Sequence, residues 1–352
     1  MRLIDKEILA SLCLRKKDLP FPEELIFEPT SRCNFRCKMC FYDSEYFKIQ
    51  DKEMSLSEIE ICISNLPKTI KRVLLIGGEP LLRKDIVDIV RLFSQKKIKV
   101  AIVTNGYLLT PVLTDELNKI GNIDKIAISL DGPPEINNKI RGVKDAFERS
   151  YANLKYAADY FNTEVVSVLQ DDNEAALHRL LPYLKEIPNV VFIVEIMRKY
   201  TRQLIDDTAK ILHMRPENIH LQASDIALDN RSVSNILSTL SNIKRDAIHM
   251  QLKLRTIPEN AFERIPNLLG KNENLNYPQI CGRLPKVRLD SVGNIIQCYA
   301  IRKPLGSLLE KKLEEIWNSE DLKNFRKEMV EKNLFPVCSL CFAVKNLDIK
   351  KK

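Results

Sequence analysis

The sequence predicts an α/β protein built on a buried parallel sheet, and three observations carry that expectation. Residues 24–28, 72–76, 98–103, 125–130, 164–169 and 190–196 are short, nearly continuous apolar runs. Unbroken apolarity, as opposed to alternation, marks strands covered on both faces. Segments of helical length and periodicity separate these runs, so strand and helix alternate. Six such repeats fall short of the eight that close a (β/α) barrel.

Taken in order, residues 1–20 read as a short leading helix with a basic end, stopped by Pro20. After the first strand, Pro29-Thr30-Ser31 breaks into a loop. Ser55 is placed to cap a helix running to about Leu66, with Leu56, Ile59, Ile61 and Ile63 as its apolar positions. Helices are expected over 85–93, from Thr110, over 145–161 and over 174–187, each between two strands. Residues 201–280 carry no cofactor motif and suggest helices at 204–212 and 232–249. Near the end, 286–290 and 294–298 read as strands of a hairpin joined through Ser291-Val292-Gly293. Helices near 308–317 and 321–331 follow, and the polar tail is expected to fray.

Length and composition bound the class. The chain has 352 residues, 45 % apolar and 29 % charged, enough for a large core and more than one domain. No apolar run approaches the ~18 residues of a membrane span. The start lacks a basic region followed by an apolar stretch, so a cytoplasmic chain without a secretory signal is expected. The net charge of +8 permits an anionic partner, but the basic residues are spread and no nucleic-acid groove is expected.

Nine cysteines in such a chain argue for metal or redox chemistry over disulfides. Cys13 and Cys62 fall in helix-like segments and read as small buried apolar residues. Cys33, Cys37 and Cys40 lie within eight residues, one thiol short of a closed tetrahedral zinc site. A cubane iron–sulfur cluster accepts three thiolates and leaves its fourth iron open. A purely structural or zinc site is the competing reading. Cys33, Gly77, Asn105 and Asp131 each follow a strand, at the carboxyl ends where parallel α/β folds place their chemistry.

The C-x3-C-x2-C spacing, then Gly77-Gly78-Glu79-Pro80, Thr104-Asn105-Gly106, Ser129-Leu130-Asp131-Gly132 and Arg141-Gly142, resembles the radical S-adenosylmethionine (SAM) superfamily. The resemblance implies an open, TIM-type (β/α)6 partial barrel. It implies a [4Fe-4S] cluster on Cys33, Cys37 and Cys40, with SAM chelating the open iron. One electron, from a donor such as a flavodoxin or ferredoxin, then yields a 5′-deoxyadenosyl radical that takes a hydrogen atom from a substrate. It places the backbone near Met39 against adenine and that of Gly77 and Gly78 close to the ligand. Glu79 is implied as an acceptor for the SAM amino group, and Asn105, Ser129 and Asp131 as ribose or amino-acid contacts. Arg141 is implied as partner of the SAM carboxylate. Singly, each of these side chains also reads as an ordinary turn, cap or surface residue.

Cys281, Cys298, Cys338 and Cys341 bring four thiols from a hairpin and a C-x2-C. Zinc ribbons use similar geometry, so structural zinc is a serious rival. Beside a radical SAM resemblance, the set resembles the SPASM/twitch type of domain and implies one auxiliary [4Fe-4S] cluster. Four thiolates would leave no open iron, which makes electron transfer the natural role. A substrate radical passing an electron there and a proton to a base would be oxidised by two electrons overall. Glu195 and Arg198, near the end of the last strand, are the candidate catalytic residues.

The expected organisation is 1–20 extension, 21–200 partial barrel, 201–280 helical connection, 281–345 auxiliary-cluster domain and 346–352 tail. Three functions compete: a radical SAM oxidoreductase, a redox-neutral radical SAM enzyme (rearrangement, epimerisation or bond formation), and a non-catalytic iron–sulfur or zinc scaffold. The substrate is expected to be a peptide or a small sugar, lipid or metabolite precursor. Molybdenum-cofactor assembly enzymes share the general architecture, but their terminal Gly-Arg-Arg is not found in Asp348-Ile349-Lys350-Lys351-Lys352.

Overall fold

A computed structural model of the chain describes residues 6–42, 46–47, 53–224, 230–259, 261–262 and 278–347. The six expected strands are β1 Glu24–Phe27, β2 Arg72–Leu75, β3 Lys99–Thr104, β4 Ile123–Ser129, β5 Thr163–Leu169 and β6 Val191–Ile196. They pair in sequence order and all in parallel. Phe27, Leu75, Ile102, Ile128, Val165 and Phe192, one from each strand, are buried in a single apolar core.

The sheet does not stop at six. Lys253–Ile257 (β7) adds in parallel beyond β6, and Val287–Leu289 (β9) pairs in parallel with β1 on the other side. Ile295–Ile296 (β10) then pairs antiparallel to β9. The result is an open nine-stranded sheet with β10 and β7 at its edges, not a closed barrel. Gln279–Cys281 (β8) and Val344–Asn346 (β11) form a separate two-stranded sheet. β7 falls inside the stretch expected to be helical. Its sequence, Lys-Leu-Arg-Thr-Ile, alternates and leaves one side of an edge strand exposed, so it lacks the apolar run of its neighbours.

The helix Pro134–Arg141, which the sequence reading did not include, precedes Ala146–Ala157, the expected helix over 145–161. Gly142 ends the first at φ 73°, a left-handed position that suits glycine. Asn138 bridges the break: its amide donates to Lys144 O and its carbonyl accepts from Phe147 N. The expected helix over 174–187 is a 3-10 turn, Leu177–Leu180, followed by Leu181–Lys185. Pro182 sits in the first turn, where its missing N–H costs nothing but would break a longer helix. The leading helix spans Lys6–Leu14 and ends well before Pro20. Residues 1–5 of the expected extension and 348–352 of the expected tail lie outside the described residues. Among the described residues, no helix is long and apolar enough to cross a membrane.

Candidate active site

The rim beyond the carboxyl ends of β1–β4 is assembled by backbone pairing. Gly78 N donates to Thr30 O at 3.1 Å and Glu79 N to Arg32 O at 2.7 Å, so the Gly-Gly segment lies flat against the start of the cysteine loop. A Cβ on Gly78 would come within 2.0 Å of Arg32 O, and one on Gly77, at φ +126°, within 2.7 Å of Thr30 O. These glycines are needed for close approach to the loop itself, as well as for an open wall on the ligand side. Gly78→Ala is expected to displace Arg32 and the thiol that follows it. The cost is at least about 1–3 kcal/mol, with reduced iron uptake at Cys33. Chemical denaturation and iron assay of the reconstituted variant check this.

Cys33, Cys37, Cys40, Gly77 and Gly78 wall one cavity of about 670 Å³. Lys38 N donates to Ile140 O at 3.0 Å, which ties the middle of the loop to the helix Pro134–Arg141. Arg36 turns back on its own loop and donates to the carbonyls of Cys33 and Phe35 at 2.7 and 2.8 Å. Burial pushes the thiols of Cys33 and Cys40 up to about 12 and about 11, and Cys37 upward as well. Neighbouring thiols add to the resistance in Cys33 and Cys40. Three half-buried thiols held in their protonated form make a donor set that metal binding would convert to thiolates. Soft sulfur donors of this kind fit iron–sulfur clusters or zinc.

The candidate SAM contacts divide. Met39 is buried and lines a smaller cavity of about 110 Å³ that also touches Cys40, Arg198 and Tyr200. Glu79 is turned inward. Its carboxylate accepts from Thr104 Oγ1 at 2.6 Å, Asn105 N at 2.7 Å and Leu81 N at 3.1 Å. Burial raises its pKa, against the pull of these hydrogen bonds. Glu79 thus locks the ends of β2 and β3 together. Asn105 donates to Asn34 Oδ1 at 2.8 Å, inside the cysteine loop. Ser129 ends β4, half-buried. Asp131 is fully buried, accepts from Val168 N at 2.8 Å and pairs with Arg141 Nη2 at 2.6 Å. Arg141 Nη1 lies 3.7 Å from Cys37 Sγ, and its buried Nε has no hydrogen-bond partner among the described residues. Arg141 thus carries a buried, unpartnered guanidinium N–H close to Cys37, a donor that would suit an anionic group such as a carboxylate.

Cys281, Cys298, Cys338 and Cys341 also share one cavity, with Arg288, Tyr200 and Tyr299 in its wall. Burial pushes Cys281 up to about 12 and Cys338 well upward, and the other thiols of the group add to both. Glu195 and Arg198 pair at 2.7 Å between the two cysteine groups.

Sequence reasoning missed a buried knot beneath the first cavity. Glu28, fully buried at the end of β1, accepts from Tyr42 Oη and Tyr46 Oη, each at 3.1 Å. It also binds Arg288 Nη1, and Arg302 Nη1 at 2.9 Å. Tyr42 and Tyr46 stack with ring centroids 3.6 Å apart. The only sequence signal was a charged residue ending an apolar run. The segment read as uninformative also contributes, since Arg202, Leu221, Gln222 and Ala223 complete the wall of the large cavity.

An open, mostly parallel sheet with a three-thiol loop at its rim and a four-thiol site beside it defines an α/β protein with two thiol-rich metal sites. The chain matches the family model of the radical SAM superfamily over residues 27–184 and that of an iron–sulfur cluster-binding domain, SPASM, over 281–342. A GTP 3′,8-cyclase of Campylobacter jejuni subsp. doylei is 32 % identical over 279 residues, 76 % of this chain and 78 % of the relative. An AdoMet-dependent heme synthase of Methanosarcina barkeri is 24 % identical over 331 residues, 91 % of this chain and 88 % of the relative. The fold is also that of Streptococcus suis SuiB, with TM-score 0.66 at 17 % identity over 95 % of this chain and 75 % of that one. The protein belongs to the radical SAM superfamily and carries a C-terminal SPASM domain. Its cofactors are therefore S-adenosylmethionine and [4Fe-4S] clusters.

Proposed function

We propose that Cys33, Cys37 and Cys40 hold the SAM-binding [4Fe-4S] cluster, and that Cys281, Cys298, Cys338 and Cys341 hold an auxiliary one. One observation supports this above the others: the three loop thiols and the Gly77-Gly78 backbone face the same 670 Å³ cavity. When bound, these groups supply a carbon-centred radical that takes one hydrogen atom from the substrate, and an acceptor for one further electron. The protein supplies the surroundings. Arg141 Nε offers a donor to the SAM carboxylate, while Asp131 holds the guanidinium in place. Glu79, with its oxygens taken up internally, orients the Gly-Gly backbone instead of binding SAM through its side chain. Met39, Asn105 and Ser129 shape the rim. Glu195 takes the proton released on substrate oxidation, at the oxygen that Arg198 does not hold.

In this reading residues 21–200 generate the radical, Arg202, Leu221, Gln222 and Ala223 close the substrate cavity, and 281–345 take the electron. A flavodoxin or ferredoxin serves as donor. Among the described residues, no three His, Cys, Asp or Glu side chains converge on one metal-ion position. The four C-terminal thiols line one cavity, and the match of residues 281–342 to an iron–sulfur cluster-binding family favours a cubane there over a lone zinc. The heme synthase relative, aligned over nearly the whole chain, favours a small metabolite as substrate. The cyclase relative favours bond formation as the second reading. The SuiB likeness, which includes a structure with its precursor peptide, leaves a peptide as a third substrate class.

Anaerobic reconstitution tests the reading. About eight irons per chain are expected for two cubanes, against about four if the C-terminal site takes zinc. Reduction with SAM present should form 5′-deoxyadenosine. A chain that binds iron but never forms it is a scaffold, and the proposal fails.

A further inference from the structure

Arg198 stands where the two cysteine groups approach each other. Its guanidinium carbon lies 5.9 Å from the ring centroid of Phe41, 5.4 Å from that of Tyr299 and 5.2 Å from that of Phe342. These rings belong to the residues that directly follow Cys40, Cys298 and Cys341. Nη1 donates to Tyr299 Oη at 2.5 Å, and the hydroxyls of Tyr299 and Tyr200 are 3.0 Å apart. Nη2 donates to Glu195 at 2.7 Å. Tyr200 borders both the small cavity at Cys40 and the cavity of the four C-terminal thiols.

The Arg198 side chain is only 14 % exposed, and besides aromatic faces its partners are the Tyr299 hydroxyl and one partly exposed carboxylate, so a nearby negative charge would help offset its lost hydration. Four thiolates around an oxidised cubane leave a net charge of about −2, and one more electron makes it about −3. A nearby fixed cation in a poorly polarisable interior stabilises the more negative state. We propose that Arg198 is a positioning residue that links the two cysteine sites and raises the reduction potential of the C-terminal cluster, so that this cluster accepts the electron. The proposal rests on the reading that the four C-terminal cysteines hold a cubane.

The test is a redox titration, followed by electron paramagnetic resonance, of the full-length reconstituted protein and its R198K and R198M variants. The C-terminal signal is assigned with the C33A/C37A/C40A background, which leaves only that cluster. R198M should move the C-terminal midpoint to a more negative value, R198K should move it less, and the midpoint of the cluster at Cys33, Cys37 and Cys40 should move by a smaller amount than the C-terminal one. An unchanged C-terminal midpoint in R198M, or equal shifts at both clusters, overturns the proposal. Should R198M take up no iron at the C-terminal site, R198Q is read in its place. If neither neutral variant loads iron there but R198K does, the positive charge is required and the proposal stands. If R198K fails with them, the residue acts by packing and the proposal falls. About four irons per wild-type chain would defeat the cubane reading itself, before any variant is made.

Discussion

Replacing Glu28 by Gln is expected to destabilise the protein by about 3–5 kcal/mol, the range for removing one partner of a buried ion pair. Glu28 is fully buried and is the shared acceptor of two guanidiniums and two phenols. Its partners come from the cysteine loop (Tyr42, Tyr46), from β9 (Arg288) and from the segment after Cys298 (Arg302). Gln leaves Arg288 and Arg302, both with side chains under a tenth exposed, without their anion. Chemical denaturation measures the loss; a midpoint equal to wild type would show that the knot contributes nothing. The same residue sets an acid limit. Burial would raise its pKa, but Arg302 and Arg288 outweigh burial and hold it below the usual carboxylate range. A depressed folded-state pKa stabilises above the unfolded value, and that stability is lost as pH falls through the folded value. Wild type should therefore lose stability on acidification through and below the ordinary Glu range, and E28Q should lose less over the same interval.

The C33A/C37A/C40A variant is expected to abolish 5′-deoxyadenosine formation and to lower iron from about eight to about four per chain. The loop is held by backbone bonds at Lys38 N, Gly78 N and Glu79 N, none of which depends on a thiol. The fold should therefore survive, and circular dichroism should give a melting curve close to that of the apo wild type. Iron falling to zero would show that the C-terminal group holds none, and iron unchanged would place the first cluster elsewhere than on Cys33, Cys37 and Cys40.

Much of this architecture was legible in the residues. The six apolar runs correspond to β1–β6, because strands covered on both faces show little polarity in their own sequence. The three-cysteine spacing and the Gly-Gly pair were legible because each is a local device on one short loop. β7 was not, since an edge strand needs no apolar run. Nor was the helix Pro134–Arg141, which Asn138 ties to the next helix with a side chain that reaches across the turn. Arg141 was assigned to a ligand by its position in a motif, whereas its geometry also engages Asp131 and Cys37. Glu79 was assigned likewise, and its oxygens face inward.

By itself the sequence determined the parallel sheet, the placing of the motifs at the strands' carboxyl ends, and the two sets of thiols. These follow from short-range periodicity and spacing, which side-chain polarity writes directly into the chain. Only the tertiary structure decided that β9 lies beside β1, that Arg288 and Arg302 meet Glu28, and that Arg198 reaches residues adjoining both cysteine groups. Such meetings join residues far apart in the chain. They depend on strand order and on the burial of charge, which no local pattern encodes.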